Sequence, residues 1–272
     1  MTTLLDHLQA RRDGGAKLLV PYLMAGVPEP AAFSDALSRL SGSADAIEVG
    51  LPFSDPLMDG PVIASAGERA LRNGIGPRAA MELVKEVPQS GTPRILMTYY
   101  NPIHRVGELE FCRRAAASGI SGLIVPDLPL EESAHLRNAA AADGLAWIPL
   151  VAPTSSQKRI EALAATCTGF LYAVSALGVT GVRASLSERA AAVTAACRAI
   201  TDLPVLVGIG VSTAAHAVEA TRTADGVVIG SAIVRAVVDE GVAAAVSFLD
   251  GVRRALDEAG GGATGAGGPA GS

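Results

Sequence analysis

Strict alternation of short apolar runs with longer amphipathic ones constrains this chain most. Eight runs read as buried β-strands: Leu18 to Met24, Ala46 to Val49, Arg94 to Tyr99, Gly122 to Pro126, Ala146 to Val151, Gly169 to Val174, Pro204 to Gly208 and Gly226 to Ile229. Between them lie segments rich in alanine and charge, among them Glu108 to Ser118, Glu131 to Asp143, Ser156 to Ala165, Ser187 to Ile200 and Thr213 to Thr221, with apolar residues near helical spacing. A strand that is always followed by a crossover helix returns in the same direction, so the sheet is parallel. Eight such units in roughly 250 residues favour an α/β fold closed as a (β/α)8 barrel over an open doubly wound sheet. A helix from about Thr3 to Arg12 is expected to cap the barrel's floor or side, with additional helices at 64–72 and 77–85 after strand two and at 232–238 and 242–258 after strand eight. No linker divides residues 1–259, which read as a single barrel domain; the glycine-rich tail 260–272 has almost no side chains to bury and is expected to be disordered.

Composition removes several function classes. Lys+Arg of 22 against Asp+Glu of 27 gives a net charge of -5, and no basic cluster with interleaved aromatics is present, so nucleic acid is not an expected partner. The amino-terminal segment is amphipathic and lacks the apolar core of a signal peptide. The most apolar later run, Gly226 to Val238, is interrupted by Gly230, Ser231 and Arg235 and falls short of the roughly 18 residues a membrane span needs. A soluble, cytoplasmic protein is expected. Cys112, Cys167 and Cys197 show no CxxC spacing and read as reduced, buried thiols, and His7, His104, His135 and His216 show no metal-ligand spacing. No metal and no cofactor are expected.

The chemistry points to strand two. Ile47 and Val49 share one face of that strand, so Glu48 shares its parity with Ala46 and Gly50 and faces the other way, into the barrel. A carboxylate there is poorly solvated, its pKa rises, and it suits proton transfer near neutral pH. Asp55 and Asp59 follow on a Pro- and Gly-rich loop, where turn formation before Pro56 and before Gly60-Pro61 is the competing explanation. At the ends of strands six, seven and eight stand Gly178 to Gly181, Gly208 with Gly210, and Gly230-Ser231, glycine-bearing loops whose N–H groups can converge on one anion beside a helix N-terminus. A phosphate there would anchor a substrate extending toward Glu48 and Asp59. Tyr22, Tyr99 and Tyr172, near the ends of strands one, three and six, could line a pocket for an aromatic group or pack the rim.

Four stretches carry a family resemblance: Glu48 to Ile63, Met97-Thr-Tyr-Tyr-Asn-Pro102, Pro126-Asp-Leu-Pro-Leu-Glu-Glu132 and Gly178-Val-Thr-Gly181. In order, from about Leu5 to Ala255, the chain resembles the tryptophan synthase α subunit family. The resemblance implies a (β/α)8 barrel that cleaves indole-3-glycerol phosphate to indole and glyceraldehyde 3-phosphate without metal or organic cofactor. It implies that Glu48 shuttles protons and Asp59 partners the indole N–H. It places Gly181, Gly210, Gly230 and Ser231 at the phosphate, Gly208 in the turn, Tyr172 beside Glu48, and Thr180 on a loop that closes toward the aspartate. It implies an α2β2 assembly with a pyridoxal-phosphate β subunit, contacted through Asp55, Pro56, Asn101, Pro102 and Asp127, the cofactor belonging to that partner. Met58, Ala64 and Gly67 depart from the family pattern. A stand-alone lyase releasing free indole, a noncatalytic phosphate-binding barrel and an isomerase of phosphoribosyl compounds are the alternatives.

Overall fold

The computed structural model describes residues 2–174, 183–208 and 210–261, with the backbone alone for 183–189 and 261. Its strands are β1 (Leu18–Met24), β2 (Ile47–Gly50), β3 (Arg94–Met97), β4 (Ile120–Ile124), β5 (Ala146–Trp147), β6 (Leu150–Val151), β7 (Leu171–Val174), β8 (Val205–Gly208) and β9 (Gly226–Ile229). All pairings are parallel, in the order β5-β4-β3-β2-β1-β9-β8-β7-β6. The two outermost strands are halves of one extended segment. Pro149 has no N–H to give the ladder, which interrupts the strand, yet its carbonyl accepts Tyr172 N–H at 3.1 Å while Ile148 N–H reaches Leu123 O at 3.1 Å. The segment 146–151 therefore joins both ends of the sheet as the fifth stave of an eight-stave barrel, as the alternation predicted.

Helices cover the outside: α1 (Leu4–Asp13), α2 (Pro30–Ser41), α3 (Pro61–Arg72), α4 (Pro77–Glu86), α5 (Tyr100–Val106), α6 (Glu108–Ala117), α7 (Ala134–Ala142), α8 (Gln157–Thr166), α9 (Arg183–Arg198), α10 (Ala214–Ala220), α11 (Ser231–Asp239) and α12 (Val242–Gly261). Proline opens α2, α3 and α4, where the missing N–H costs no helical bond. The sequence reading did not anticipate α5, because Asn101-Pro102 resembles a loop; Pro102 sits in the first turn, where helices tolerate it. Helix α12 runs through Gly261, two residues past the expected barrel boundary, and 262–272 lies outside the described residues.

Strand parity sorts the side chains into two shells. Val20, Ala46, Ile95, Ile148, Phe170 and Val228 fill the barrel interior, whereas Ile47, Val49, Leu96 and Val227 pack outward against the helices. From below, Leu4 and Leu8 of α1 enter the interior cluster, so the first helix plugs the floor. Gly122 makes room for that plug: a Cβ there would stand 2.9 Å from the Leu4 methyl. Thr3 and Asp6 cap α1 reciprocally at 3.1 Å each.

The floor also carries a repeated hydrogen-bonded latch. Asp45, Thr168 and Asp225 each stand just before an even-numbered stave. Each donates its N–H to a carbonyl of the stave before and accepts that same residue's N–H on its side chain. The distances are 2.9 and 2.8 Å to Leu19, 3.0 and 2.7 Å to Trp147, and 3.0 and 2.9 Å to Val205. Asp45 is further gripped by Arg11 at 2.7 Å and Arg253 at 3.1 Å, and Asp225 by Arg198 at 2.5 Å. Cys112, Cys167 and Cys197 are buried free thiols, and burial pushes their pKa values up to about 12, 12 and 11. Among the described residues no helix is long and apolar enough to cross a membrane.

Candidate active site

The C-terminal ends of the staves open onto a cavity of about 540 Å³. Glu48 lies in its wall, 1% exposed and facing inward with Ala46, as parity required. Neither carboxylate oxygen has a hydrogen-bond partner among the described residues. Arg94, the basic residue that opens β3, sits at the opposite end of the barrel and donates to Val84 O at 3.0 Å and Pro88 O at 2.6 Å. Among the described residues no buried ion pair explains the acid. Burial, reinforced by the charge of Asp59, raises the Glu48 pKa to about 8.

Asp59 reaches the same cavity from the loop between β2 and α3, ahead of the Gly60 cap of α3. Burial raises its pKa to about 6, an effect moderated by the neighbouring Tyr99 hydroxyl. Two carboxyls with separated pKa values thus share one cavity, an arrangement in which one is neutral and the other ionised near pH 7.

Tyr22 and Tyr172 flank Glu48. Tyr22 is its register partner on β1 and Tyr172 projects from β7; burial and the two acids push both phenols well above their ordinary range. Each ring occupies space that a glycine leaves open. A Cβ on Gly50 would stand 1.8 Å from the Tyr22 hydroxyl, and one on Gly208 would stand 2.2 Å from the Tyr172 ring. Gly208, which the resemblance puts in the turn, ends its strand in the lining of the cavity and leaves the Tyr172 ring its room. Gly50→Ala is expected to displace Tyr22 and lower kcat/KM for the reaction proposed below by about tenfold or more, through a misplaced cavity wall. Steady-state kinetics beside a circular dichroism melt check this, an unchanged kcat/KM counting against it.

The other expected residues separate. Gly230 lines the cavity, while Gly210 and Ser231 are exposed outside its lining, with Ser231 opening α11 without a side-chain cap. Thr180 and Gly181 lie outside the described residues. Tyr99 is buried at 5% exposure but does not line the cavity; it lies under the β2–α3 loop, stacked on Phe53. Of the expected partner contacts, Asp55 and Asn101 are exposed, Pro56 is half-buried, and Pro102 is buried. Asp127 lines the cavity and accepts Tyr100 N–H at 2.9 and 3.2 Å. Sequence reasoning missed the apolar wall. Met97, Ile148 and Leu150 were within reach of strand parity, but Trp147, which packs in the helix-side shell, and Arg159 were not. Among the described residues no three His, Cys, Asp or Glu side chains cluster as metal ligands.

Known proteins match this chain along nearly its whole length. The family profile described as tryptophan synthase alpha chain covers residues 8–253. The tryptophan synthase alpha chain of Acaryochloris marina is 43% identical over 263 residues, 94% of this chain and 98% of that protein. That of Streptomyces coelicolor is 45% identical over 250 residues, 91% and 92% of the two chains. Among solved structures, Mycobacterium tuberculosis tryptophan synthase superposes with a TM-score of 0.87 at 38% identity, covering 94% of this chain and 99% of the other. Fold and sequence agree, and the chain belongs to the tryptophan synthase alpha chain family.

Proposed function

We propose that this site performs the α reaction of tryptophan synthase, the retro-aldol cleavage of indole-3-glycerol phosphate to indole and glyceraldehyde 3-phosphate. The observation that carries the assignment of roles is the buried, unpartnered Glu48 beside Asp59 in one cavity. The reaction needs one proton delivered to ring C3 and one removed from the hydroxyl of the adjoining glycerol carbon. Glu48, neutral below about pH 8, gives its proton to ring C3 and becomes a carboxylate. As the carbon–carbon bond breaks, the hydroxyl becomes the aldehyde and its proton returns to Glu48, so the acid is regenerated. Asp59, ionised above about pH 6, accepts the indole N–H and stabilises positive charge on the ring nitrogen while C3 is protonated. The apolar wall of Met97, Ile148 and Leu150 accommodates the indole, and the glycine loops with the start of α11 hold the phosphate.

The β2–α3 and β3–α5 loops support a partner face. Leu57 is 83% exposed beside Asp55 and Pro56, Leu109 is 65% exposed at the start of α6, and Asn101 is exposed between them in sequence. Large apolar side chains at loop tips fit a protein contact better than solvent, and an α2β2 complex with a tryptophan synthase β subunit is the assembly they suit.

Release of indole from indole-3-glycerol phosphate by the purified chain, alone and with a β subunit, tests the reading. Slow cleavage that rises about tenfold or more on adding the partner is expected, within the usual range of allosteric coupling. Fast cleavage by the chain alone would identify a stand-alone lyase; none under either condition would leave a noncatalytic barrel.

A further inference from the structure

We propose that Tyr99 is a positioning residue, holding the β2–α3 loop at both ends so that Asp59 faces the cavity. The inference rests on the role given to Asp59 above. Its ring stacks on Phe53, near the start of the loop, with centroids 5.2 Å apart and planes 28° from parallel. At the far end its hydroxyl oxygen accepts the N–H of Met58, the residue before Asp59, at 3.0 Å, and the hydroxyl beside the Asp59 carboxyl lowers the pKa of that acid.

Tyr99 can serve as a fixed post because its backbone is tied down on either side. Thr98 N–H donates to Ile124 O at 3.1 Å, and Tyr100 N–H donates to the Asp127 carboxylate. The loop has no comparable support of its own. Leu57 N–H reaches Asp55 O at 3.0 Å and Asp59 N–H reaches Pro56 O at 3.1 Å, both within the loop, and Leu57 and Met58 are exposed. Among the described residues the bond from Met58 N–H to the Tyr99 hydroxyl is the only hydrogen bond that joins Leu57, Met58 or Asp59 to a neighbouring part of the barrel. Tyr99 does not line the cavity, so its influence on the reaction passes through Asp59.

The titratable groups facing this pair are Glu48 from β2, Tyr22 from β1, Tyr172 from β7 and Asp127 from the loop after β4. None of them is altered by Tyr99→Phe, which keeps the ring and its stack and removes the hydroxyl alone. Because that hydroxyl favours ionised Asp59, its loss moves the acid limb of the kcat profile upward. The expected result is a kcat for indole-3-glycerol phosphate cleavage about tenfold or more below wild type, KM within about twofold, and an acid limb displaced by about half a unit or more toward neutral pH. Asp59→Asn is measured alongside. Inactive Asp59→Asn with a normal kcat in Tyr99→Phe would overturn the positioning role and leave Asp59 in place, as would a lower kcat with an unmoved acid limb, which marks a merely structural tyrosine. Full activity in Asp59→Asn would overturn the role of Asp59 and this inference with it.

Discussion

Glu48→Gln is expected to lower kcat for indole release by about three orders of magnitude, the upper part of the range for a lost general acid–base, with KM changed by less than about threefold. The isostere keeps the shape of the cavity wall and cannot cycle a proton between ring carbon and hydroxyl. Steady-state assays saturating in substrate measure this, and a kcat within about fivefold of wild type would end the proposed role. The same variant makes a second, opposite expectation for stability. The Glu48 pKa is raised in the folded chain to about 8 from an ordinary 4.5. The folded state therefore holds a proton that the unfolded state releases between those values, and stability is lost as pH climbs from about 5 to about 8. Glutamine has no proton to lose, so Glu48→Gln should be more stable than wild type at pH 8.5, by on the order of 4 kcal/mol, and nearly equal to it at pH 5. Urea melts at the two pH values separate this from a general packing effect, which would be the same at both. Wild-type activity should peak between the two carboxyl pKa values, about 6 and about 8, falling below as Asp59 is protonated and above as Glu48 ionises.

Asp45→Ala should be the most damaging single truncation on the barrel's other face. The carboxylate is 3% exposed and takes three donors: Leu19 N–H at 2.8 Å, Arg11 Nε at 2.7 Å and Arg253 Nη1 at 3.1 Å. Its own carbonyl meets His7 Nε2 at 2.9 Å. The residue thus ties α1, β1, β2 and α12 together. Alanine leaves the fully buried Leu19 N–H without its acceptor and leaves the mostly buried Arg253 with Asp257, at 2.7 Å, as its one remaining carboxylate, a combined loss of about 3 kcal/mol. A fall in Tm on the order of 10 °C follows for a domain of this size. Asp45→Asn, which keeps one acceptor oxygen, should lose less. Denaturant melts of both variants decide the matter, and a loss below about 1 kcal/mol for alanine would mean that Arg11 and Arg253 find other partners. Activity per folded molecule should stay near wild type, since the site lies at the opposite end of the staves.

What could be read in advance was whatever alternation controls. Eight staves, the helices between them and the inward direction of Glu48 all follow from periods of 2 and 3.6, because both faces of each stave are buried and a slip of one residue would expose a whole face. Legibility ended where the ladder did. Strand β3 stops at Met97, so the direction of Tyr99 is set by the loop it supports, and it turned out to lie beneath Asp59, away from the indole wall. Helix α5 was hidden because Pro102 has opposite meanings in a loop and in the first turn of a helix. Trp147 and Arg159 come to the cavity from the helix-side shell and from α8, positions that strand parity cannot predict. The contrast between Asp59 and Asp55 is likewise set by the tertiary fold: both precede turn residues, yet Asp59 is half-buried in the cavity lining and Asp55 is exposed.

The three latches on the floor divide the barrel in a way its eightfold outline conceals. Each fastens an odd-numbered stave to the next even one: first to second, fifth to sixth, seventh to eighth. The smallest self-sealing module is therefore two staves with their helix. A chain severed between the second and third staves, the fourth and fifth, or the sixth and seventh leaves every latch within a single fragment. Pieces so divided keep each latched pair whole, whereas a cut within a latched pair parts an acceptor from its donor.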